Sequence, residues 1–322
     1  MKEETAQSSP VRTVLITGCD GFIGSHLAEL MLEKGFKVYA TIMKSDENIA
    51  HIKDKIHVIK LDMQDKESIE NAVEQSRADI IFHLAAQSYV LPSWEDIEGT
   101  FNVNVIGTIR LFDAARKAGN PVIVFASSSA GYGLTKESEI PIRENKEFRP
   151  SSPYAVSKIS ADMFCYLYWR AYGMKIIRAR IFNTVGPRKR GNVIADFAQM
   201  IVEAERGKRK KISVGNLEPV LDFTDVRDTS SALFMLAERG RYGEAYNVCS
   251  SRGRKIKDVL EKMLELSKEK IFVEVDEKKF RPADDPIFIG DNTKLKCLGW
   301  APKISMEQSL EDTLNYWRQI TT

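Results

Sequence analysis

The chain has 322 residues, of which 43% are hydrophobic and 29% charged, a composition that suits one large α/β domain with a smaller lobe. Its formal net charge of +2 is too small to predict a nucleic-acid partner, and no run approaches the ~20 apolar residues of a membrane span. The cysteines and histidines lack metal-ligand spacing, which predicts reduced thiols, no disulfide framework and no metal site in a cytoplasmic protein.

The first half of the chain alternates short β-branched runs with segments of helical periodicity. Strands are predicted at 11–17, 37–42, 56–61, 79–84, 121–126 and 175–180. Helices are predicted at 24–34, 66–75 and 100–117, and from Ser152 or Pro153 onward. Near-continuous apolar strands separated by helices indicate a parallel sheet covered on both faces, the doubly wound (Rossmann) α/β arrangement.

After about Asn183 this alternation breaks down. Helices near 193–206, 229–238, 256–266 and 306–320 mix with short strands and proline-bearing segments. We predict a disordered leader at 1–10, a nucleotide-binding domain at 11–182 and a smaller mixed α/β lobe at 183–322, with some segments returning to the first domain. The lobe is expected to lie over the ends of the strands and to bind substrate.

A glycine-rich loop, TGCDGFIG, follows the first predicted strand and opens the first predicted helix. The first glycine permits a tight turn, the second lets a pyrophosphate approach the backbone, and the third permits close helix–strand packing. Amides at the start of the helix would face the anion. The context predicts a dinucleotide-binding loop made of Gly18, Asp20, Gly21, Phe22, Ile23 and Gly24.

The end of the second strand helps to distinguish NAD from NADP. An NAD site places an acidic residue there, which accepts a hydrogen bond from the ribose 2′-hydroxyl. Residues 38–45 read VYATIMKS, with no acid before Asp46. Thr41, Lys44 and Ser45 could instead hold a 2′-phosphate. NADP is therefore the predicted cofactor, with NAD as the alternative.

A tyrosine and a lysine four residues apart, Tyr154 and Lys158, share one face of the helix that Ser152 and Pro153 begin. A free tyrosine, with a pKa of ~10, is a poor acid or base at neutral pH. A nearby ammonium group is expected to lower that pKa and allow proton exchange with a carbonyl or alcohol oxygen. A serine in the hydroxyl-rich turn after the fifth strand can hydrogen-bond the same oxygen.

The chain resembles the extended short-chain dehydrogenase/reductases of the NAD-dependent epimerase/dehydratase family, which modify sugar nucleotides. The resemblance covers essentially everything after the leader. It includes the glycine loop, FHLAAQS at 82–88, the SSS…YG turn, SPYAVSK, and DFTDVRD at 222–228. It implies that Ser128, Tyr154 and Lys158 are catalytic. Within the family the chain is most similar to GDP-4-keto-6-deoxy-mannose reductases and then to GDP-mannose 4,6-dehydratases.

The same resemblance implies further contacts with the cofactor and the substrate. Cofactor contacts are implied on the adenine side for Asp62 and Met63, and along the nicotinamide ribose for Leu84, Ala85 and Ala86. Substrate contacts are implied for Gln87, Ser129, Asn183, Val193, Asn216 and Arg281.

Three positions depart from the family pattern. Ala130 stands where a dehydratase has the carboxylate that eliminates water across C5–C6 of the sugar, and an alanine cannot move a proton. Leu221 stands where relatives have an arginine, and Thr184 where they often have a histidine. The basic residues 188–190 could supply some of the missing positive charge, although a solvated basic loop fits them equally well.

These observations favour an NADP-dependent reductase that acts on the C4 keto group of a GDP-4-keto-6-deoxy-hexose. The alternatives are a 4-epimerase that retains NAD, a GDP-mannose 4,6-dehydratase with an acid from elsewhere, and a non-catalytic NADP-binding sensor or scaffold. An intact set of serine, tyrosine and lysine argues against the sensor, because a binding protein does not need a tuned tyrosine.

Apolar residues on more than one face of two helices predict a second copy of the chain as a partner. The helices lie roughly at 100–117 and 153–170, and the second carries Phe164, Tyr166, Leu167, Tyr168 and Trp169. In the family that the chain resembles, the corresponding helices pair into a four-helix bundle. The resemblance therefore implies a homodimer.

Overall fold

A seven-stranded parallel sheet forms the centre of the computed structural model, which describes residues 11–43, 45–280 and 286–320. From one edge to the other its strands are β10 (Ala245–Val248), β6 (Ile176–Ile181), β5 (Val122–Ser128), β4 (Ile80–His83), β1 (Thr13–Thr17), β2 (Lys37–Ile42) and β3 (His57–Lys60). The chain leaves β1 toward β2 and β3, then returns to β4, β5 and β6 on the other side. The strand order therefore reverses between β1 and β4, which is where open α/β sheets bind ligands.

Helices cover both faces of this sheet. One face packs against α1 (Phe22–Glu33) and α8 (Val226–Arg239), and the other against α2 (Lys66–Ser76), α5 (Gly107–Lys117) and α6 (Pro153–Tyr172). The strands between them are mostly apolar, as expected for strands that are buried on both faces: β1 reads TVLIT and β4 reads IIFH. Burial of each large apolar side chain in these layers contributes roughly 1.5–3 kcal/mol.

Local signals in the sequence set the helix that carries Tyr154 and Lys158. The Ser152 side chain accepts a hydrogen bond from the Ala155 amide, and Pro153 occupies the first turn, where no amide hydrogen is needed. The helix ends at Gly173, whose left-handed backbone (φ 64°) lets its amide bond back to Trp169. The N-cap fixes where the helix begins relative to the end of β5, and the C-cap fixes where it ends.

The C-terminal part builds three further structures around a second core. In a small mixed sheet, β9 (Val220–Asp225) pairs with β7 (Asn183–Val185), β11 (Gly253–Lys255) and β13 (Ile287–Phe288). A parallel pair joins β8 (Lys211–Val214) to β12 (Phe272–Val275). The helices α7 (Val193–Glu205), α9 (Ile256–Glu265) and α11 (Met306–Ile320) enclose apolar side chains that include Phe197, Leu260, Leu314 and Trp317.

The predicted doubly wound α/β fold is confirmed. The predicted helix at 100–117 differs in form: α3 (Val90–Glu95) and α4 (Ile97–Phe101) precede a π-helical turn at Asn102–Ile106, which leads into α5. The helix predicted at 229–238 starts three residues earlier, because the Asp225 carboxylate caps it by accepting from the Arg227 amide. A short helix, α10, covers Thr293–Lys296. The leader at 1–10 lies outside the described residues.

Strand β10 and helix α8 come from the second half of the sequence, yet β10 is an edge strand of the main sheet and α8 packs on α1. The two parts of the chain are therefore joined by a shared sheet. In the described part of the chain, none of the helices combines the length and the apolar character that a membrane crossing requires.

Candidate active site

The glycine loop lies at the point where the strand order reverses. Gly18 has a left-handed backbone (φ 68°), and a Cβ atom there would lie 2.9 Å from the Cα of Ala85, in the loop after β4. A Cβ on Gly24 would overlap the Gly18 carbonyl oxygen. Gly21 begins α1 without a side-chain cap, which leaves the first amides of this helix available to an anion. The loop therefore fits the pyrophosphate of a dinucleotide.

Two threonines hold the loops around this site from the inside. The Thr17 hydroxyl accepts hydrogen bonds from the amides of Leu84 (3.2 Å) and Ala85 (3.1 Å). The Thr41 hydroxyl accepts from the Gly18 amide at 3.2 Å, and the side chain is 1% exposed. The Thr41 hydroxyl thus supports the glycine loop from the interior, and its predicted contact with a 2′-phosphate stays a prediction.

The end of β2 carries a carboxylate that comes from the glycine loop. The Asp20 side chain accepts a hydrogen bond from the Met43 amide (3.1 Å), and the Asp20 carbonyl accepts from Asn48 (2.8 Å). Lys44, the predicted phosphate ligand, lies outside the described residues. Asp62 is exposed beyond β3, and its carboxylate accepts from the Gln64 amide.

A basic loop after β7 docks on the first helix. Arg188 has a left-handed backbone (φ 72°), donates to the Ser25 hydroxyl at 3.2 Å and pairs with Glu29. Lys189 places its ammonium group 5.2 Å from the centre of the Phe22 ring, at the start of α1, and burial lowers its pKa. The sequence indicated this basic run, but only the fold brings Lys189 to the glycine loop.

The serine, tyrosine and lysine predicted as catalytic are grouped at the end of β5. The hydroxyls of Tyr154 and Ser128 share a hydrogen bond, and the Tyr154 amide donates to Ser93 at 3.1 Å. Lys158 is 4% exposed and places its ammonium group 4.6 Å from the centre of the Phe125 ring, as a cation–π contact. Ser128 and Tyr154 are thus partly exposed, whereas Lys158, one turn further along α6, is buried.

Burial dominates the acidity of these groups. It raises the pKa of Tyr154, which the hydrogen bond with Ser128 only partly offsets. It also lowers the pKa of Lys158 to about 8, against the opposing effects of Cys165 and Asp162. The expected lowering of the pKa of Tyr154 by Lys158 is not found. The physical reason is that both groups leave water together, so both neutral forms are favoured.

An asparagine in the π-helical turn supports the site. Asn104 is 1% exposed, and its amide donates to the Ser157 hydroxyl and to the Gln87 carbonyl, both at 2.9 Å. Its carbonyl oxygen accepts from the Gln87 amide at 2.8 Å. Asn104 therefore joins the loop after β4 to the helix of Tyr154. The sequence reasoning missed Asn104, whose neighbours one turn away, Thr100 and Thr108, are also buried polar residues.

The predicted substrate residues do not all lie near Ser128 and Tyr154. Asn183 begins β7, two residues after Ile181, which pairs with Ser128 across the sheet, so it lies near the serine turn. Ser129 is buried, and the Asn216 side chain accepts from the Glu218 amide within its own loop. Val193 is the first residue of α7. Arg281 lies outside the described residues.

Comparison with known proteins places this site in a family. A family model for GDP-mannose 4,6 dehydratase matches residues 15–313. The curated GDP-6-deoxy-D-mannose reductase of Pseudomonas aeruginosa is 30% identical over 94% of this chain and 96% of that protein.

Solved structures give the same result. The structure of RMD from P. aeruginosa complexed with NADPH superimposes with a TM-score of 0.84 at 28% identity, covering 95% of this chain and 99% of that one. A Thermus thermophilus UDP-glucose 4-epimerase complexed with NAD gives a TM-score of 0.85 at 30% identity, with coverage of 95% and 99%. The chain therefore belongs to the GDP-mannose 4,6 dehydratase family, within the nicotinamide-dependent epimerase/dehydratase enzymes that act on nucleotide sugars.

Proposed function

We propose that this enzyme reduces the C4 keto group of a GDP-4-keto-6-deoxy-hexose with NADPH. The observation that carries the proposal is the pairing of Ser128 with Tyr154 above Lys158, in a turn where Ala130 replaces a carboxylate. Reduction of a ketone needs one proton donor and no base for elimination. The site offers a proton donor, Tyr154, and the serine turn lacks a base for elimination.

In this reaction the reduced nicotinamide, when bound, supplies the hydride that reaches C4. Tyr154 donates its hydroxyl proton to the C4 oxygen, and Ser128 holds that oxygen by a hydrogen bond. A raised pKa suits Tyr154 to this role, because the tyrosine is then protonated at neutral pH. With a pKa of about 8, Lys158 carries its proton in roughly nine of ten molecules at pH 7 and stabilises the tyrosinate that forms.

The turn itself argues against dehydration. Loss of water across C5–C6 requires a group that removes the C5 proton, and Ala130 has none. The neighbouring Gly131 is packed so closely that a Cβ atom would lie 2.6 Å from Ile159. A side chain at position 131 would therefore have to displace the side chain of Ile159. A GDP-mannose 4,6-dehydratase reaction would need an acid from another element.

NADP is favoured by the absence of an acidic residue from positions 38–45, and positive charge near the glycine loop supports a dinucleotide of either kind. The ammonium group of Lys189 lies beside Phe22, where it can pair with a cofactor phosphate. Lys189→Met should weaken NADPH binding about tenfold, whereas Arg190→Met, which removes the neighbouring cation over Trp317, should change it less than about twofold. Equal effects of the two variants would remove Lys189 from the cofactor site.

One observation favours the second candidate, a 4-epimerase that retains NAD. The Asp20 carboxylate lies at the end of β2, where an NAD site has its acidic residue. The two candidates differ in a simple property, because an epimerase keeps its nicotinamide through purification and a reductase exchanges it. Protein that is purified with bound NAD and converts a UDP- or GDP-hexose without added cofactor would support the epimerase.

The decisive experiment is incubation with NADPH and a panel of GDP-, dTDP-, UDP- and CDP-4-keto-6-deoxy sugars, following the absorbance of the reduced nicotinamide. We expect oxidation, fastest with the GDP sugar. NADH in place of NADPH is the matched cofactor control. No oxidation with any member of the panel would reject the reductase.

We also propose a homodimer formed through α6. Five large apolar or aromatic side chains on it are at least 38% exposed, and four of them share one face: Val156, Met163, Tyr166 and Leu167. Spacings of three, four and seven residues place them on one stripe. Leu167→Glu should convert a dimer into a monomer in analytical ultracentrifugation, whereas Lys175→Glu, beyond the end of the helix, should not.

A further inference from the structure

A buried carboxylate lies one helical turn beyond the proposed catalytic lysine. Tyr154, Lys158 and Asp162 follow one another at intervals of four residues on α6, so all three lie on one side of the helix. The side chain of Asp162 is 1% exposed. Charged side chains are almost never buried to this degree unless they are paired. The groups that pair with Asp162 therefore indicate its role.

Asp162 joins α6 to the two strands below it. It accepts hydrogen bonds from Arg178 (2.9 Å) and from two nitrogens of Arg180 (3.1 and 3.2 Å), both on β6. It also bonds the hydroxyl of Ser127, the residue before Ser128 on β5. One carboxylate thus connects the helix of Tyr154 and Lys158 with the strand end that carries Ser128.

The network extends to the far side of the serine turn. Arg180 donates to the Tyr132 hydroxyl (3.1 Å), and Tyr132 donates to Asn247 of β10 (2.7 Å). The backbone from Ser127 to Tyr132 is therefore held at both ends by one set of buried polar contacts. Apolar packing could fill this volume at least as cheaply, so directional hydrogen bonds there indicate a requirement for fixed geometry.

Positive charges also outnumber negative charges around Lys158. The titratable and charged groups around Lys158 are Tyr154, Asp162 and Cys165 on its own helix, His83 on β4, and Arg178 and Arg180 on β6. Burial lowers the pKa of His83 to about 3 and raises that of Cys165 well above its ordinary value, so neither is charged near neutral pH. Asp162 is then the only anion in this set, and it faces three cations.

We propose that Asp162 is a positioning residue for the reaction, which fixes Ser128 relative to Tyr154 and keeps a negative charge behind Lys158. The inference rests on the proposed ketone reduction. Without Asp162, Arg178 and Arg180 are buried without a counter-charge, the serine turn loses its link to α6, and Lys158 gives up its proton more readily.

The test is Asp162→Asn, which keeps the shape and removes the charge, with Arg178→Gln as the matched control. In Asp162→Asn we expect kcat to fall about 10- to 100-fold while KM for both substrates stays within about threefold. Arg178→Gln breaks the same ion pair but leaves the contact with Ser127, and should cost less than about threefold in kcat. Asp162→Glu, which keeps the charge, should recover part of the loss.

A second readout does not need turnover. The titration of Lys158 is followed by NMR with 13Cε-labelled lysine and assigned with Lys158→Met. Its midpoint should lie about one pH unit lower in Asp162→Asn, and unchanged or higher in Arg178→Gln. A folded Asp162→Asn protein with an unchanged midpoint and unchanged kcat would overturn the proposal. So would equal losses of kcat in the two variants without any change of midpoint.

Failure of the proposed function and failure of Asp162→Asn to fold are distinguished by separate measurements. If the unsubstituted enzyme oxidises NADPH with none of the keto sugars, the proposed function fails, while the Lys158 titration still tests the electrostatic part of the inference. If Asp162→Asn does not fold, Ser127→Ala removes only the link to the serine turn and should lower kcat about fivefold. Full activity of Ser127→Ala would then reject the positioning role.

Discussion

The carboxyl ends of the main-sheet strands, here called the sheet edge, carry the proposed catalytic groups. They are built differently from the small sheets and helices of the C-terminal part, here called the lobe. At the sheet edge, neighbouring strands hold their ends in register, and buried side chains such as Thr17, Asn104 and Asp162 bond the loops from below. In the lobe, short strands of two to six residues carry polar side chains, such as Asn216, that bond within their own loops. We therefore expect the proposed catalytic groups to be rigidly supported and the proposed substrate contacts to lie on more adaptable loops.

This difference predicts how the two regions respond to substitution. A change at the sheet edge should affect the rate or the cofactor because its groups are held by many shared contacts. A change in the lobe should affect the apparent affinity for the sugar nucleotide and leave the rate nearly unchanged. Four measurements, from the largest expected effect to the smallest, test whether the two regions separate in this way.

The largest effect should follow Tyr154→Phe, which removes the proton donor and keeps the ring. We expect kcat to fall about 10²- to 10⁴-fold, because general acid catalysis contributes about that much. The melting temperature and the Kd for NADPH should stay close to those of the unsubstituted enzyme. Activity that survives the change would show that the proton comes from elsewhere and would remove the basis for calling this edge catalytic.

The second effect concerns the cofactor and uses a pair of glycines. Gly18→Ala places a Cβ against Ala85 and strains a left-handed backbone, so we expect NADPH to bind at least about tenfold more weakly and stability to fall by about 1–2 kcal/mol. Gly35 also has a positive φ (77°), but a Cβ atom added there would have no neighbouring heavy atom within 4 Å. Gly35→Ala should lower stability similarly without changing NADPH affinity.

Isothermal titration with NADPH and thermal unfolding measure both quantities on both variants. If Gly35→Ala weakened NADPH binding as strongly as Gly18→Ala, backbone strain in general, rather than the approach of Gly18 to Ala85, would account for the loss. The glycine loop would then not be a specific binding site for NADPH.

The sheet edge could be read from the sequence because its signals are local. The glycine loop and the caps of α6 depend on residues within a few positions of one another. The strands alternate with helices in an order that few parallel topologies satisfy. The contribution of Asp162 could not be read in this way, because Arg178, Arg180 and Ser127 meet it only after three elements pack together.

Two features of the sheet edge could not be predicted from the sequence for physical reasons. Thr41 is predicted as a possible phosphate ligand because it lies near the end of a strand, but its buried hydroxyl accepts from the Gly18 amide. The pKa of Tyr154 is predicted to be lowered by a neighbouring ammonium, but it is raised, because burial disfavours the charged form of the phenol. Neither burial nor side-chain direction at a loop is determined by spacing along the chain.

The third measurement is the pH dependence, in which rate and stability should move in opposite directions. The folded pKa of Lys158 is lowered by burial to about 8, below its unfolded value of 10.5. As pH rises from 8 to 10.5 the folded lysine loses its proton before the unfolded one does, so its contribution to stability increases. Over the same range kcat should fall, about tenfold per pH unit.

The measurement compares kcat profiles and urea unfolding between pH 7 and 10.5, with Lys158→Met as the reference for stability. In that variant the increase of stability with pH attributable to this group should disappear. A kcat profile that stays flat above pH 8 would mean that the charge of Lys158 is not needed in the reaction.

The smallest effect tests the lobe. Asn183 begins β7 beside the catalytic turn, and its amide makes one long hydrogen bond (3.4 Å) to the Asp222 carbonyl, so it remains available to a ligand. In Asn183→Ala, KM for the sugar nucleotide should rise about five- to tenfold, the loss expected for one hydrogen bond, with kcat within about threefold. In Asn216→Ala the increase should be smaller, because the Asn216 oxygen already caps the Glu218 amide. Should Asn183→Ala instead lower kcat and leave KM unchanged, Asn183 would belong with the catalytic edge, and the boundary between rigid chemistry and adaptable recognition would lie inside the lobe.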